Sequence, residues 1–213
     1  FAAYFQKAEY ARFKKLKQTE LKTITDFKST QIADWLWERL ADAKHFSSSP
    51  LYTDAILAII QKPNDTQNDK IADRNEMIRQ LRGYSDVHIV ASHKRLSMST
   101  SKIFNEVPAA LFPLIDSCIW YNEIIFSDFL TNPQDGTNYI AAVAPITDSK
   151  GQIFATVVFY IDPDTHINPT LQFSPNGLAD LETCILDKSF FHSILDSLAE
   201  PLPEYLLAVT RQT

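Results

Sequence analysis

The chain has 213 residues, a formal net charge of −6, a pI near 5.3 and 45% hydrophobic residues. It is long enough for one or two domains with a real core, and its acidic balance argues against a nucleic-acid partner, since phosphate binding needs a basic face. Four glycines leave no room for a glycine-rich phosphate loop, and no apolar run reaches the roughly 18 residues that would span a membrane.

The chain opens on Phe1 with neither methionine nor a signal-peptide pattern, and reads as an excised fragment. Residues 2–44 lack glycine and proline and are rich in Lys, Glu, Ala and Leu, which predicts one long helix on the order of 60 Å. Its apolar stripe is patchy at first and firm from Leu21 through Ile24, Ile32, Trp35, Leu36 and Leu40 to Ala43. Ser47, Ser48, Ser49 and Pro50 stop it. A short helix is predicted from Thr53 as N-cap to Gln61, then a polar loop over 64–68, then a helix over 69–82 closed by Gly83.

Residues 87–91 and 96–101 read as strands joined through Ser92, His93, Lys94 and Arg95. Val107, Ala110, Leu111, Leu114, Ile115, Cys118 and Ile119 form a helical stripe, which Pro113 should kink or restart. Residues 124–130 are predicted as a third strand, and 132–136 as a loop. Two apolar runs between Asn138 and Pro163 then flank the turn Asp148, Ser149, Lys150, Gly151. In the second run Ile153, Ala155, Val157, Phe159 and Ile161 share one face, wholly apolar; Phe154, Thr156, Val158 and Tyr160 share the other, with a hydroxyl at every second position. This predicts the central hairpin of a sheet. The order of elements gives an α+β arrangement with a five-stranded antiparallel sheet and flanking helices. Cys118 and Cys184 have no CxxC spacing; two buried thiols are favoured, with a disulfide as the alternative.

Residues 28–50, KSTQIADWLWERLADAKHFSSSP, and 141–164, AAVAPITDSKGQIFATVVFYIDPD, carry a resemblance to the extracytoplasmic Cache (PDC, PAS-like) sensor domains of bacterial receptors, nearest to those of histidine kinases. The resemblance implies a long signalling helix over 1–50, a membrane-distal sensor lobe over 51–163, and over 164–213 a bridge with a partial or degenerate second lobe. It also implies a periplasmic or extracellular domain of a membrane-anchored receptor. Its first hairpin departs from the family, using Ser92 to Arg95 where an Asp and a Gly are usual. The family's amino-acid signature is only partly met, because Cys118 stands where an arginine would precede Trp120 and Tyr121.

Within that frame the candidate ligand-binding residues are Arg95, Trp120, Tyr121, Asp128, Tyr139 and Tyr160. Trp120 and Tyr121 would form an aromatic wall or stack on a cation, against ordinary rim packing. Arg95 would pair with a carboxylate, against a solvated turn residue. Asp128 would receive an amino group, against bonding loop amides; Tyr139 and Tyr160 would line the pocket, against filling the core. The expected partner is a small molecule such as an amino acid, amine or carboxylate, with a homodimer through the N-terminal helix as a further expectation. No cofactor is expected. His88 and His93, five apart on strand and turn, are poorly placed to chelate, and no nucleophile–base pair, G-x-S-x-G elbow, H-E-x-x-H or P-loop occurs, so no enzyme is expected in this fragment. Output through a histidine kinase, a GGDEF or EAL enzyme or a chemoreceptor remains open, as does a ligand-free interaction module.

Overall fold

In the computed structural model the described residues are 2–61, 65–91, 97–99 and 106–173. The predicted turn from Ser92 to Arg95 (with His93), the strand ends at Leu96, Thr100 and Ser101, Cys184 and the second-lobe region including 205–210 lie outside them. The chain divides into two compact units, one of residues 36–166 and one that joins 1–35 to the segment from Ile167.

The second of these units holds most of α1 (Ala2–Ser47) and α5 (Ile167–Gln172). Ile24, Lys28, Ile32 and Trp35 are buried at helical spacing on α1, and the Lys28 ammonium donates to the carbonyl of Leu171 near the C-terminal end of α5. A cation there satisfies an unpaired helix-end carbonyl. No helix among the described residues is long and apolar enough to cross a membrane.

The lobe over 36–166 begins with the end of α1, followed by α2 (Pro50–Gln61) and α3 (Asp65–Arg82). α2 starts three residues earlier than predicted. Pro50 occupies its first position, where proline is pre-organised, and the Ser49 carbonyl accepts from the amides of Tyr52 and Thr53, both at 2.9 Å. Thr53 lies inside the helix and donates its hydroxyl to the Pro50 carbonyl instead of capping. α3 likewise takes in the polar run 65–68 read as loop, because polarity without glycine or proline does not break a helix. Gly83 ends it at φ 70°, with the Tyr84 amide on the Arg79 carbonyl.

The strands are β1 (Asp86–Ala91), β2 (Ser97–Ser99), β3 (Ile125–Phe126), β4 (Leu130–Thr131), β5 (Asn138–Thr147) and β6 (Ile153–Ile161). They form an antiparallel sheet in the order β2-β1-β6-β5-β3, with β4 pairing with β5 outside that path. The predicted hairpin is its centre. The single strand predicted over 124–130 is instead two short ones. Ser127 interrupts it: its amide donates to the Ala141 carbonyl, while its hydroxyl, not its carbonyl, accepts from the Ala141 amide, each at 2.8 Å. A side chain thus takes the place of a ladder group, and the backbone peels away at Asp128 and Phe129.

A 3-10 turn, Ala109–Leu111, leads into α4 (Phe112–Tyr121), and Pro113 sits in the first turn of that helix. The proline restarts the helix there, where its missing N–H costs nothing. α4 ends at Asn122, φ 55°.

The apolar face of β6 meets the helices: Phe159 packs with Phe46 of α1, ring centroids 6.1 Å apart, and with Tyr84 at 4.9 Å. Beside it Asp42 accepts from Tyr84 Oη at 3.3 Å and pairs with Arg39 at 3.3 Å and Arg82 at 3.4 Å. Arg39 also donates to the Arg82 carbonyl at 2.7 Å, which ties α1 to the end of α3.

Candidate ligand-binding face

The opposite face of the sheet carries the polar residues. Strand parity and register put Asp86, His88 and Val90 of β1 beside Tyr160, Val158 and Thr156 of β6, each pair directly opposed. β5 adds Tyr139, Ala141 and Val143, and the face is covered by Leu111 of the 3-10 turn and by Ile115 and Cys118 of α4. Asp86, His88, Thr156 and Tyr160 are all fully buried. A carboxylate, an imidazole and a phenol in so apolar a shell stay folded only when hydrogen-bonded.

They are bonded to one another. Asp86 accepts from its neighbour's amide, Val87, at 2.7 Å and from the Ser99 hydroxyl of β2 at 3.0 and 3.2 Å. His88 Nε2 lies 3.5 Å from Asp86 Oδ2, and Nδ1 of the same ring lies 3.3 Å from Tyr160 Oη. Tyr139 and Tyr160 pack at a ring-centroid distance of 5.5 Å. Burial raises the phenol pKa of Tyr160, helped by Tyr139 and the negative Asp86, and burial alone raises that of Tyr139. Both are neutral hydroxyls at physiological pH. Burial pushes the Cys118 thiol up to about 12, and its sulfur donates to the Val143 carbonyl at 3.6 Å.

One polar atom on this face has no partner. The hydroxyl of Thr156 is buried without a hydrogen bond, flanked in register by Val90 on β1 and Pro145 on β5.

Of the residues expected from sequence, the structure brings Tyr139 and Tyr160 onto this face. Trp120 and Tyr121 do not share it: they are 83% and 66% exposed at the end of α4, and the helix turns Ile115 and Cys118 inward. Asp128 is exposed on the link between β3 and β4 and is not strand-borne. Arg95 lies outside the described residues. Asp86 and Ser99 were not singled out by sequence reasoning, Thr156 was placed on the hydroxyl-bearing face without a role, and His88 was weighed only as a metal ligand, although Asp86 and His88 alternate along a strand with apolar residues, the signal that marks a polar face. Among the described residues, no group of three or more His, Cys, Asp or Glu is placed to hold a metal.

Solved structures share this architecture. The ligand-binding domain of the Pseudomonas aeruginosa amino-acid chemoreceptor PctC, in complex with GABA, superposes with TM-score 0.54 at 15% identity, covering 74% of this chain and 69% of that one. That of the Campylobacter jejuni chemoreceptor Tlp3 with L-norvaline gives 0.58 at 11%, covering 75% and 65%. That of Pseudomonas fluorescens CtaA with L-serine gives 0.56 at 13%, covering 76% and 66%. The fold is that of a chemoreceptor ligand-binding domain. This chain spans about two thirds of the length of those structures. No protein-family model matches it, and no curated protein matches it in sequence.

Proposed function

We propose that this chain is the small-ligand-sensing, extracytoplasmic input region of a membrane-anchored signalling receptor, not an enzyme. The observation that carries this reading is the buried polar cluster Asp86–His88–Tyr160–Ser99, with the unpartnered Thr156, set in the apolar face beneath α4. A core built for stability alone gains nothing from such groups, whereas a site that orients a small polar molecule needs a few of them in an apolar wall. The fold shared with chemoreceptor sensor domains supports it.

The ligand in this reading is a small molecule of amino-acid size, an amino acid, amine or carboxylate. Tyr139 and Tyr160 line its site, and Trp120, Tyr121 and Asp128 stand at the rim. In this reading the signalling helix is 1–50, the sensor lobe 51–163, and 164–213 a bridge with a partial or degenerate second lobe. Binding favours one packing of the lobe on its helix, and the output is a histidine kinase, with a GGDEF or EAL enzyme or a chemoreceptor as the alternative.

A second reading, a dimerisation or interaction module without a ligand, is favoured by the first half of α1, where Phe5, Tyr10, Phe13 and Leu16 are all exposed. A thermal-shift screen of the chain against amino acids, amines and carboxylates separates the two, since a ligand that binds only the folded form raises Tm. A shift reduced by Tyr160→Phe supports sensing. No shift across the panel, with concentration-dependent association through α1, overturns it.

A further inference from the structure

Among the buried polar side chains described on the α4-covered face, Thr156 is the one without a hydrogen-bond partner. Its hydroxyl is buried, makes no hydrogen bond, and faces Val90 and Pro145 in register. Neither neighbour offers a side-chain donor or acceptor, and the 3-10 turn and helix that cover the face present Leu111, Ile115 and Cys118, of which only the thiol is polar and that is committed to the Val143 carbonyl. Leaving a buried hydroxyl unpaired is unfavourable, and valine would fill the same volume without that cost. A threonine here is a standing penalty for the empty lobe.

Thr156 is also close to the polar cluster. It lies two residues from Val158, which opposes His88, so Thr156 and His88 are diagonal neighbours across the β1–β6 ladder. The carboxylate of Asp86 lies four residues along β1 from the Val90–Thr156 pair on the same face, so an acidic group, not a basic one, is the described ionisable carboxyl neighbour of this site.

Resting on the sensor reading above, we infer that the Thr156 hydroxyl is a ligand-reading group, kept unpaired by the protein to accept a hydrogen bond from a small molecule bearing an ammonium or hydroxyl donor. The remaining polar groups hold each other in place; Thr156 supplies the bond that the ligand alone completes. It is a specificity residue, separate from the residues that fix the fold.

The experiment compares wild type, Thr156→Val and Thr156→Ser in the whole chain. Tm is measured alone and with glycine, L-serine, GABA and ethanolamine, and with acetate and succinate as carboxylates lacking such a donor. The expected result has opposite signs. Unliganded Thr156→Val melts at the wild-type temperature or a few degrees above it, because a buried unpaired hydroxyl has been removed. Its response to a donor probe that wild type binds is lost, or its apparent Kd rises about tenfold or more, the loss of one hydrogen bond. Thr156→Ser restores the response. The inference is overturned by a Thr156→Val chain that binds the probe as wild type does, by one that melts lower when empty, or by a wild type that answers only acetate and succinate; each of the three leaves the sensor reading standing. A wild type that answers none of the six probes removes both.

Discussion

Tyr160 Oη and His88 Nδ1 lie 3.3 Å apart, both side chains fully buried, with the rings edge-to-face at a centroid distance of 5.2 Å. The contact joins the central strand β6 to β1 on the face beneath α4. A neutral hydrogen bond of this kind is worth about 1 kcal/mol net. A double-mutant cycle of Tyr160→Phe and His88→Leu, followed by urea denaturation, is expected to give a coupling energy of about 0.5–1.5 kcal/mol. A coupling near zero would show that the two side chains only share space.

Asp42 is the shared acceptor of a buried cluster. It takes the Arg39 guanidinium, the Arg82 guanidinium and the Tyr84 hydroxyl, and Arg39 is nearly as buried as Asp42 itself. Removing the carboxylate leaves the Arg39 charge without its buried counter-ion, so Asp42→Ala is expected to cost about 3 kcal/mol or more. Glu38, 3.7 Å from the same guanidinium but exposed, is the control, and Glu38→Ala is expected to cost less than about 1 kcal/mol. Equilibrium unfolding of the two variants checks the contrast.

On α3 the Glu76 carboxylate receives both arms of Arg79 at 2.7 Å and the Gln80 amide at 2.6 Å. These bonds, the Arg79 one foremost, hold its pKa down to about 2. A depressed carboxylate pKa contributes stability that is complete above the ordinary value of 4.5 and is lost as pH falls through the folded value. The stability gap between wild type and Glu76→Gln is therefore expected to be constant from pH 5 to 8 and to close between about pH 4.5 and 2. Because the pair is partly exposed, the gap is small, below about 1 kcal/mol, and shrinks in salt.

Burial raises the Cys118 thiol to about 12, which leaves almost no thiolate at pH 8. In a Cys184→Ser chain, a thiol-specific reagent at pH 8 is expected to label nothing in the native state and one sulfur per chain in guanidinium. Rapid native labelling would place Cys118 in an open site.

Lys28 ties α1 to α5 through the Leu171 carbonyl. Lys28→Met removes the cation from that helix end, and the amides of α5 are expected to exchange hydrogen several-fold faster, with the lobe over 36–166 unaffected. Uniform acceleration across the chain would point to general destabilisation instead.

The central hairpin was legible because parity and turn chemistry agree there: two apolar runs, a turn closed by Gly151 at φ 78°, and alternation that separates Phe159 from Tyr160. The long helix and the stop at Gly83 were legible for similarly local reasons. The break at Ser127 was not, because a hydroxyl that replaces a ladder carbonyl looks like any other strand serine until its partner, Ala141, is in place. The outward setting of Trp120 was available in principle. At about 100° per residue it lies roughly 200° round the helix from Cys118, whose stripe faces the sheet. The aromatic pair drew attention by residue type, whereas Asp86, His88 and Thr156 sit in runs that read as plain strand. Their significance depends on register, which brings β1 beside β6 across about seventy residues of sequence.

Phe159 and Tyr160 are consecutive in β6, yet one ring rests on Phe46 at the end of α1 and the other on His88. The two environments are divided by a single layer of backbone and joined through one peptide plane, which is stiff. In the sensor reading proposed above, a ligand that tilts β6 by pressing at Thr156 or Tyr160 would also move Phe159 against Phe46, with no relay of intervening side chains. In mechanical terms the strand is a wall with a doorbell on one side and its clapper on the other.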